Sequence, residues 1–220
     1  MRTAHIATTL LGLTLAASAG AQPTNVSATN KWSWGENIGW MNWRDAGDPD
    51  GAQGARIGTN RLSGFVWCEN VGWMHLGDNT PTGGVHYANT DGSDSGVNLS
   101  PTGNLFGFGW GENIGWVNFD TAPSLTASGQ QARYDAGARR LRGFAWGSNV
   151  GWINLDDSAH FVGLGCAADF NGDGTLDVPD IFAFLSAWFA NDPRADFDGN
   201  GTREVSDIFA FLSAWFAGCA

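Results

Sequence analysis

Oxygen-bearing side chains recur at fixed positions in two short segments near the C-terminus, 27 residues apart. Calcium takes about six to eight oxygen ligands, which a short loop can supply from its positions 1, 3, 5, 7, 9 and 12. Position 7 contributes its backbone carbonyl. The spacing therefore predicts two calcium sites. Their ligands are Asp169, Asn171, Asp173, Thr175, Asp177 and Asp180 in the first loop, and Asp196, Asp198, Asn200, Thr202, Glu204 and Asp207 in the second.

The residues around these positions support the same interpretation. Gly174 and Gly201 occupy position 6, where the chain must turn sharply. Each loop is followed by the same ten residues, IFAFLSAWFA, which predict one apolar helix per loop. From Cys166 onward there are nine acidic residues and two arginines, a net charge of −7. Such a charge density favours bound cations, because it would otherwise oppose a compact fold.

The loop-and-helix repeat, with Asp instead of Glu at position 12, resembles the dockerin module of polysaccharide-degrading bacterial complexes. The flanking Gly165-Cys166 and the terminal Gly218-Cys219-Ala220 resemble the GC-type dockerin-anchored proteins in particular. The resemblance covers about 55 of the 220 residues. It implies a secreted protein that binds a cohesin-like or cell-surface receptor protein.

The two predicted helices are apolar on nearly every side, with only Ser186 and Ser213 interrupting them. Two such helices can bury one face against each other, but some aromatic side chains should remain outside that contact. These side chains either pack on the preceding domain or form a partner surface. The candidates are Phe182, Phe184, Trp188, Phe209, Phe211 and Trp215.

A second motif, Trp-x-Glu-Asn-Ile/Val-Gly-Trp, occurs four times between residues 30 and 155, with Ser in place of Glu in the last copy. Successive copies are 33, 43 and 36 residues apart, which indicates one structural unit with variable loops. Asn-Ile/Val-Gly predicts a three-residue hairpin loop closed by a left-handed glycine. A further short strand, such as residues 55–57 or 132–134, precedes most copies. Each repeat is therefore predicted to be a three-stranded antiparallel meander.

Strand alternation places Phe144, Trp146 and Trp152 on one face of the fourth hairpin, and Leu141, Ala145, Ile153 and Leu155 on the other. Both faces are apolar, which favours a closed all-β arrangement, a small propeller or a barrel, with both faces buried. We expect the paired tryptophans to belong to the core, with sugar binding as the alternative. They are Trp34, Trp40, Trp67, Trp73, Trp110, Trp116, Trp146 and Trp152.

Composition sets the remaining boundaries. Residues 1–21 have the charged start, short apolar run and Ala-Gly-Ala ending of a signal peptide. The predicted domains are therefore the signal peptide, an all-β tryptophan-repeat domain over 22–160, and a small α-helical calcium module over 161–220. A net charge of −11 argues against nucleic acid as a partner, and no later stretch predicts a transmembrane segment.

The chain has three cysteines, and two of them bracket the calcium module. We predict a disulfide between Cys166 and Cys219, which would stabilise the module by about 4 kcal/mol in the chain-entropy model. An alternative is that Cys219 is a covalent attachment point. Cys68 takes the place of a glycine in the other repeats and is interpreted as a small buried residue.

Three function classes fit these features. The first is a secreted, calcium-binding, non-catalytic protein whose β-domain binds a ligand such as carbohydrate or serves as a structural surface module. The second is an enzyme or accessory component of polysaccharide breakdown, which rests on family analogy. The third is a surface-layer component. No catalytic residue is assigned, because Glu36, Glu69 and Glu112 recur at a turn position that the fourth repeat fills with Ser148.

Overall fold

The computed structural model describes residues 24–48, 50–125, 129–172, 175–198 and 200–218. The predicted signal peptide, residues 1–21, lies outside this range. No helix among the described residues combines the length and the apolar character that a membrane crossing requires.

Within the described residues there are fourteen strands, most of them short. They are β1 (Val26–Gly35), β2 (Gly39–Asn42), β3 (Arg56–Ile57), β4 (Leu62–Ser63), β5 (Phe65–Cys68), β6 (Gly72–His75), β7 (Val97–Leu99), β8 (Leu105–Gly111), β9 (Gly115–Asn118), β10 (Arg133–Asp135), β11 (Arg140–Arg142), β12 (Phe144–Gly147), β13 (Gly151–Asn154) and β14 (Val162–Leu164). A single-turn helix, α1 (Ala122–Leu125), follows β9.

Eight of the strands close into an antiparallel barrel. Going around it, the order is β1, β2, β5, β6, β8, β9, β12 and β13, and β13 pairs again with β1. Closure leaves none of the eight strands with a free edge. Of the two closed arrangements predicted from the sequence, the structure is therefore the barrel and not the propeller.

Each copy of the motif contributes one hairpin to the barrel. In the first copy Trp34 pairs with Trp40 and Gly35 with Gly39. The amide of Ile38 donates to the carbonyl of Gly35 at 3.3 Å, and Gly39 has a φ of 75°. This is the predicted tight turn closed by a left-handed glycine, and the other three copies repeat it.

A glycine bends the first strand of the later hairpins out of the barrel wall. It is the glycine of the Leu-x-Gly-Phe sequence, and its φ is positive at Gly64, Gly107 and Gly143. A β-carbon on Gly143 would lie 2.2 Å from the carbonyl oxygen of Gln131, so only glycine fits beneath the crossing chain. Beyond the bend, β3 pairs with β4, β7 with β8, and β10 with β11. These short strands complete the predicted three-stranded meanders.

Small and medium side chains fill the barrel interior. Ala145, Ile153, Val66 and Met74 have no exposed surface, as expected for an eight-stranded barrel whose interior is just wide enough for side chains. Trp146 and Trp152 lie on the opposite, outer face and are 42% and 39% exposed. The predicted division into two faces is confirmed. The expectation that both faces are buried, with these tryptophans in the core, is wrong.

The C-terminal region is helical. It contains α2 (Val178–Phe189), a 3₁₀ turn (Pro193–Ala195) and α3 (Val205–Ala217). Phe184 of α2 and Phe211 of α3 are fully buried and stack with ring centroids 4.3 Å apart. These two residues therefore form the core between the helices and not the partner surface for which they were candidates.

The other four aromatic candidates divide into two pairs. The guanidinium of Arg203 lies 4.6 Å from the Trp188 ring, and the Trp215 indole donates to the Asp177 carbonyl at 3.2 Å. Both tryptophans thus contribute to the module itself. Phe182 and Phe209 are 65% and 66% exposed, so these two remain available to a partner.

Candidate functional site

A belt of tryptophans surrounds the outside of the barrel, close to the hairpin turns. It consists of four directly paired couples, Trp34 with Trp40, Trp67 with Trp73, Trp110 with Trp116, and Trp146 with Trp152. Ring centroids in the first three couples are 4.9, 4.7 and 6.3 Å apart, with the rings tilted or edge-on. Such cross-strand contacts stabilise these three hairpins. We call these eight residues the tryptophan belt.

The belt is substantially open to solvent. Seven of its members are between 39% and 46% exposed, and Trp40 is partly covered by His160, whose ring centroid lies 4.8 Å away. Large aromatic side chains that remain this exposed in a repeating array are unusual, because exposed apolar surface is costly and tends to mark binding surfaces.

A second outward row lies beside the belt, two residue pairs further along each hairpin, with one inward-facing pair between them. In this row an aromatic side chain faces a polar one, as in Phe144 opposite Asn154 and Phe65 opposite His75. The complete row comprises Trp32, Phe65, Phe108 and Phe144 with Asn42, His75, Asn118 and Asn154. Phe144 was expected on this face, but the row as a whole was not predicted as a candidate site. Its signal in the sequence is the aromatic residue two positions before the first tryptophan of each couple.

Polar groups of the second row lie next to the belt rings. Across the hairpin junctions Asn42 pairs with Trp67, Asn118 with Trp146, and Asn154 with Trp34. Burial lowers the pKa of His75, which pairs with Trp110, so its imidazole is neutral at neutral pH. The surface thus presents aromatic rings together with uncharged hydrogen-bonding groups.

The second predicted calcium loop brings three carboxylates together. One oxygen from each of Asp196, Asp198 and Asp207 lies within 4.8 Å of the others. Asp207 is fully buried, and the buried Oδ1 of Asp196 has no hydrogen-bond partner in the described part of the chain. Hard oxygen donors and an unpaired buried oxygen fit a calcium ion.

The position-12 carboxylates join each loop to the start of its helix. Asp207 accepts hydrogen bonds from the amides of Asp198 and Glu204, and Asp180 accepts the equivalent bonds from Asn171 and Asp177. Asp180 is also fully buried. The position-12 carboxylates of the two loops therefore accept equivalent hydrogen bonds, in agreement with the sequence repeat.

Several of the other predicted ligands form hydrogen bonds within their own loops. Asp169 accepts from the amide of Gly172, Asn200 donates to Glu204, and Thr202 donates to Asn200. Thr175 follows in the first loop. Asp173 lies outside the described residues.

Two arginines of the barrel domain face the loops. Burial lowers the pKa of Arg56, and the negative charge of Asp196 opposes that shift. A β-carbon built on Gly172 would lie 2.7 Å from Nη2 of Arg44, so Arg44 packs against the first loop. A cavity of about 1050 Å³ at this junction is lined by residues that include Arg56, Tyr134 and Asp198. The charge of the second loop is therefore balanced in part by the barrel.

No family model, curated protein or solved structure matches this chain.

The cysteines behave differently from one another. Cys166 is disulfide-bonded, whereas Cys68 is a free, fully buried thiol. Burial raises the pKa of Cys68 to about 12, so the thiol is protonated and unreactive at neutral pH. Cys219, the predicted partner of Cys166, lies outside the described residues, and that pairing stays a prediction.

Within the described part of the chain, the turn glutamates do not belong to a cluster of acidic residues. The group of three side chains that could hold a metal ion lies in the second predicted calcium loop and does not include Glu36, Glu69 or Glu112. Instead, a β-carbon on Gly39 would lie 3.4 Å from Oε2 of Glu69 in the neighbouring turn. Glu36 lies in the same way beside Gly151, so both of these carboxylates extend from their own turn toward a neighbouring one.

Proposed function

We propose that this protein is a secreted, non-catalytic carbohydrate-binding protein that binds through the tryptophan belt and is anchored by a calcium-loaded, dockerin-like C-terminal module. The observation that carries the proposal is the exposure of seven belt tryptophans on the outside of a barrel whose interior is already filled. The core does not need these rings.

The chemistry of the belt suits sugars. The apolar C–H face of a pyranose ring stacks on an aromatic face, and its hydroxyls need uncharged hydrogen-bonding groups at the rim. Asn42, Asn118 and Asn154 lie beside Trp67, Trp146 and Trp34. Their side-chain oxygens accept from backbone amides two residues further on, and each side-chain nitrogen keeps at least one N–H for a sugar hydroxyl.

The fourfold repetition of the belt suits a polymer. A single exposed aromatic couple binds weakly, because it buries little area. Sites repeated on one rigid barrel act together when the ligand also repeats, since each contact after the first is intramolecular. A polysaccharide chain or gel offers such a repeating ligand, so we infer a polymer and not a free monosaccharide.

The C-terminal module would hold two calcium ions. In the second loop one oxygen from each of Asp196, Asp198 and Asp207 lies within 4.8 Å of the others, and calcium would neutralise these carboxylates. Each helix then presents a matching exposed stripe, formed by Val178, Phe182 and Phe189 on α2 and by Val205, Phe209 and Phe216 on α3. These stripes are the proposed contact with a cohesin-like or cell-surface receptor protein.

A depletion experiment tests the carbohydrate proposal. The full chain, loaded with calcium, is incubated with a panel of insoluble and gel-embedded polysaccharides, and both the unbound protein and released reducing sugar are measured. We expect retention on at least one polymer without release of sugar.

A matched pair of variants locates the binding surface. Trp67→Ala with Trp73→Ala removes one belt couple, and Phe189→Ala with Phe216→Ala removes two aromatic residues of the module that are even more exposed. Retention should fall for the first and not for the second. Release of reducing sugar would replace the non-catalytic proposal with the enzyme alternative. If the chain were retained on no polymer, the carbohydrate-binding proposal would be overturned.

A further inference from the structure

One segment of the belt differs from the others because a polar loop stands beside it. A cavity of about 360 Å³ lies between this loop and the third hairpin. Its aromatic side is formed by Phe108 and Trp116, whose ring centroids are 6.0 Å apart at 73°. Its polar side is formed by Asn89, Thr90, Asp91, Gly92 and Ser95. This volume is at the lower end of the range of about 300–1000 Å³ that small-molecule sites occupy.

The polar loop belongs to the longest spacer between motifs. The second and third copies are 43 residues apart, compared with 33 and 36 for the other intervals. The extra chain lies between β6 and β7, and it returns so that residues 89–95 reach the outer face of the third hairpin. The third repeat thereby gains hydrogen-bonding groups that the shorter spacers have less chain to provide.

The base of this loop is rigidly held. Tyr87 is 3% exposed, and its hydroxyl donates to the carbonyl of Leu62 and accepts from the amide of Asn79. The buried side chain of Asn98 accepts from the amide of Tyr87 and donates to its carbonyl. The loop therefore leaves the barrel from a fixed point.

The tip is ordered by its own polar side chains. Asn89 accepts from the amide of Gly96, Asp94 accepts from the amides of Thr82 and Ala88, and Asp91 accepts from Ser93. A binding site held in place before the ligand arrives loses less conformational entropy on binding.

We propose that the cavity between residues 89–95 and the Phe108–Trp116 pair is the principal sugar subsite of the belt, and that it takes one uncharged hexose unit of the polymer. The sugar ring stacks on Trp116 while its hydroxyls bond to Thr90, Asp91 and Ser95. An uncharged sugar is specified because the polar wall contains the carboxylate of Asp91 and no cationic side chain. A uronic acid would be repelled. This inference rests on the proposed function of the belt.

The test compares equivalent positions of three repeats. Trp116→Ala is measured beside Trp73→Ala and Trp152→Ala, which change the same position in the second and fourth hairpins. Affinity is read by affinity electrophoresis of the full chain in gels that contain the retained polymer. We expect Trp116→Ala to weaken binding about tenfold, the loss typical of a main anchor, and the other two to weaken it by less than about threefold.

A variant of the polar loop distinguishes the contribution of residues 89–95 from that of the tryptophan belt. Asp91→Ala should also weaken binding, whereas Asp78→Ala changes an acid of the same spacer outside the cavity and should not. Equal losses in all three tryptophan variants, with Asp91→Ala silent, would overturn the subsite and leave the belt proposal standing. A preference for polyuronates over neutral polymers would overturn the ligand class. Absence of binding by the unmodified chain would overturn both proposals.

Discussion

The side-chain amide of Asn37, in the turn of the first repeat, donates a hydrogen bond to the backbone carbonyl of Val150, in the turn of the fourth, at 3.3 Å. Each of the other repeats makes the same bond to the repeat before it. The bonds are Asn70 to Ile38 at 3.2 Å, Asn113 to Val71 at 3.0 Å, and Asn149 to Ile114 at 3.3 Å. Four amides thus form a ring that joins the first and last hairpins at one end of the barrel.

The ring explains why every copy of the motif has Asn between its two tryptophans. Asn149→Ala should lower the free energy of unfolding by about 1 kcal/mol, because the bond to the Ile114 carbonyl is lost. Ser148→Ala, one residue earlier in the same turn, should change it by less than about 0.5 kcal/mol. Urea denaturation of both variants measures the difference, and equal stabilities would contradict the role of the ring.

Close packing within the turn also requires glycine at position 35, beside the side chain of Ile38. A β-carbon on Gly35 would lie 2.3 Å from Cγ1 of Ile38, which reaches into the end of the barrel and is 1% exposed. We expect Gly35→Ala to cost about 1–3 kcal/mol, as overpacking does. Gly92→Ala, where no atom lies within 4 Å of the added carbon, is the control and should be nearly neutral.

A double-mutant cycle tests the physical cause. If the clash with Ile38 is responsible, Gly35→Ala should cost little once Ile38→Ala has removed the obstructing side chain. Additive losses in the double variant would show that Gly35 is required for another reason.

Because the pKa of the buried Cys68 thiol is raised, the free energy of unfolding should depend on pH above about pH 9. Its pKa is raised from an ordinary value of 9.0 to about 12, so in that interval the unfolded chain loses the proton while the folded chain keeps it. The contribution of the thiol is complete below pH 9 and falls as the pH rises toward 12, by up to about 1.4 kcal/mol per pH unit.

Comparison with Cys68→Ala isolates this effect. The difference in unfolding free energy between the unmodified chain and the variant should shrink between pH 9 and pH 11. At pH 8 the folded, unreduced chain should not react with a thiol reagent, and one thiol should appear on unfolding. A pH-independent difference, or a reactive thiol in the folded state, would contradict the buried position.

Calcium binding can be counted by titration calorimetry on the full chain after treatment with chelator. We expect two ions for the unmodified chain and one for Asp207→Asn, because that residue contributes an oxygen to the three-carboxylate group. Asp192→Asn, whose acid caps the 3₁₀ turn between the loops, should still bind two. No calcium heat, with helicity unchanged by chelator, would exclude the predicted sites.

The barrel should also affect the calcium affinity of the second loop through the charge of Arg56. Arg56 interacts electrostatically with Asp196, so its positive charge competes with the ion for that carboxylate. Arg56→Gln should therefore strengthen calcium binding at one site, by about 0.5–1 kcal/mol. Arg139→Gln, which removes an exposed arginine bonded to the Gly165 carbonyl, should leave both affinities unchanged. Weaker calcium binding by the Arg56→Gln variant would contradict the proposed competition between Arg56 and the ion for Asp196.

The local structure of the repeats was predictable because the sequence within each hairpin determines its turn and the alternation of its side chains between the two faces. The shared face of the paired tryptophans and the left-handed glycine at Gly39 follow from residue type and spacing alone, whereas the bend at Gly143 was not predicted. The face that turns inward did not follow from hydrophobicity, because both faces are apolar. Side-chain size decides it: Gly35, Cys68, Gly111 and Gly147 share the inner face, where eight indoles would not fit.

A similar limit applied to the helices. Their identical apolar sequences do not indicate which phenylalanine is buried, since every face is hydrophobic. The loop determines it, because it fixes where each helix starts and so places Phe184 and Phe211 opposite each other. Barrel closure was expected only in general terms, since the bond that joins the first and last hairpins connects Asn37 with Val150, 113 positions away in the sequence.

The most direct test of the account observes the indoles themselves. The chain has twelve tryptophans, and their indole N–H signals can be resolved by NMR after ¹⁵N labelling and assigned by single substitutions. The full chain is titrated with oligosaccharides prepared from the panel polymers. We predict that signals from the belt shift, with Trp116 first, while the buried Trp43 and the module residues Trp188 and Trp215 stay in place. If no belt signal moves with any oligosaccharide, or if only Trp188 and Trp215 move, the belt is not the binding surface.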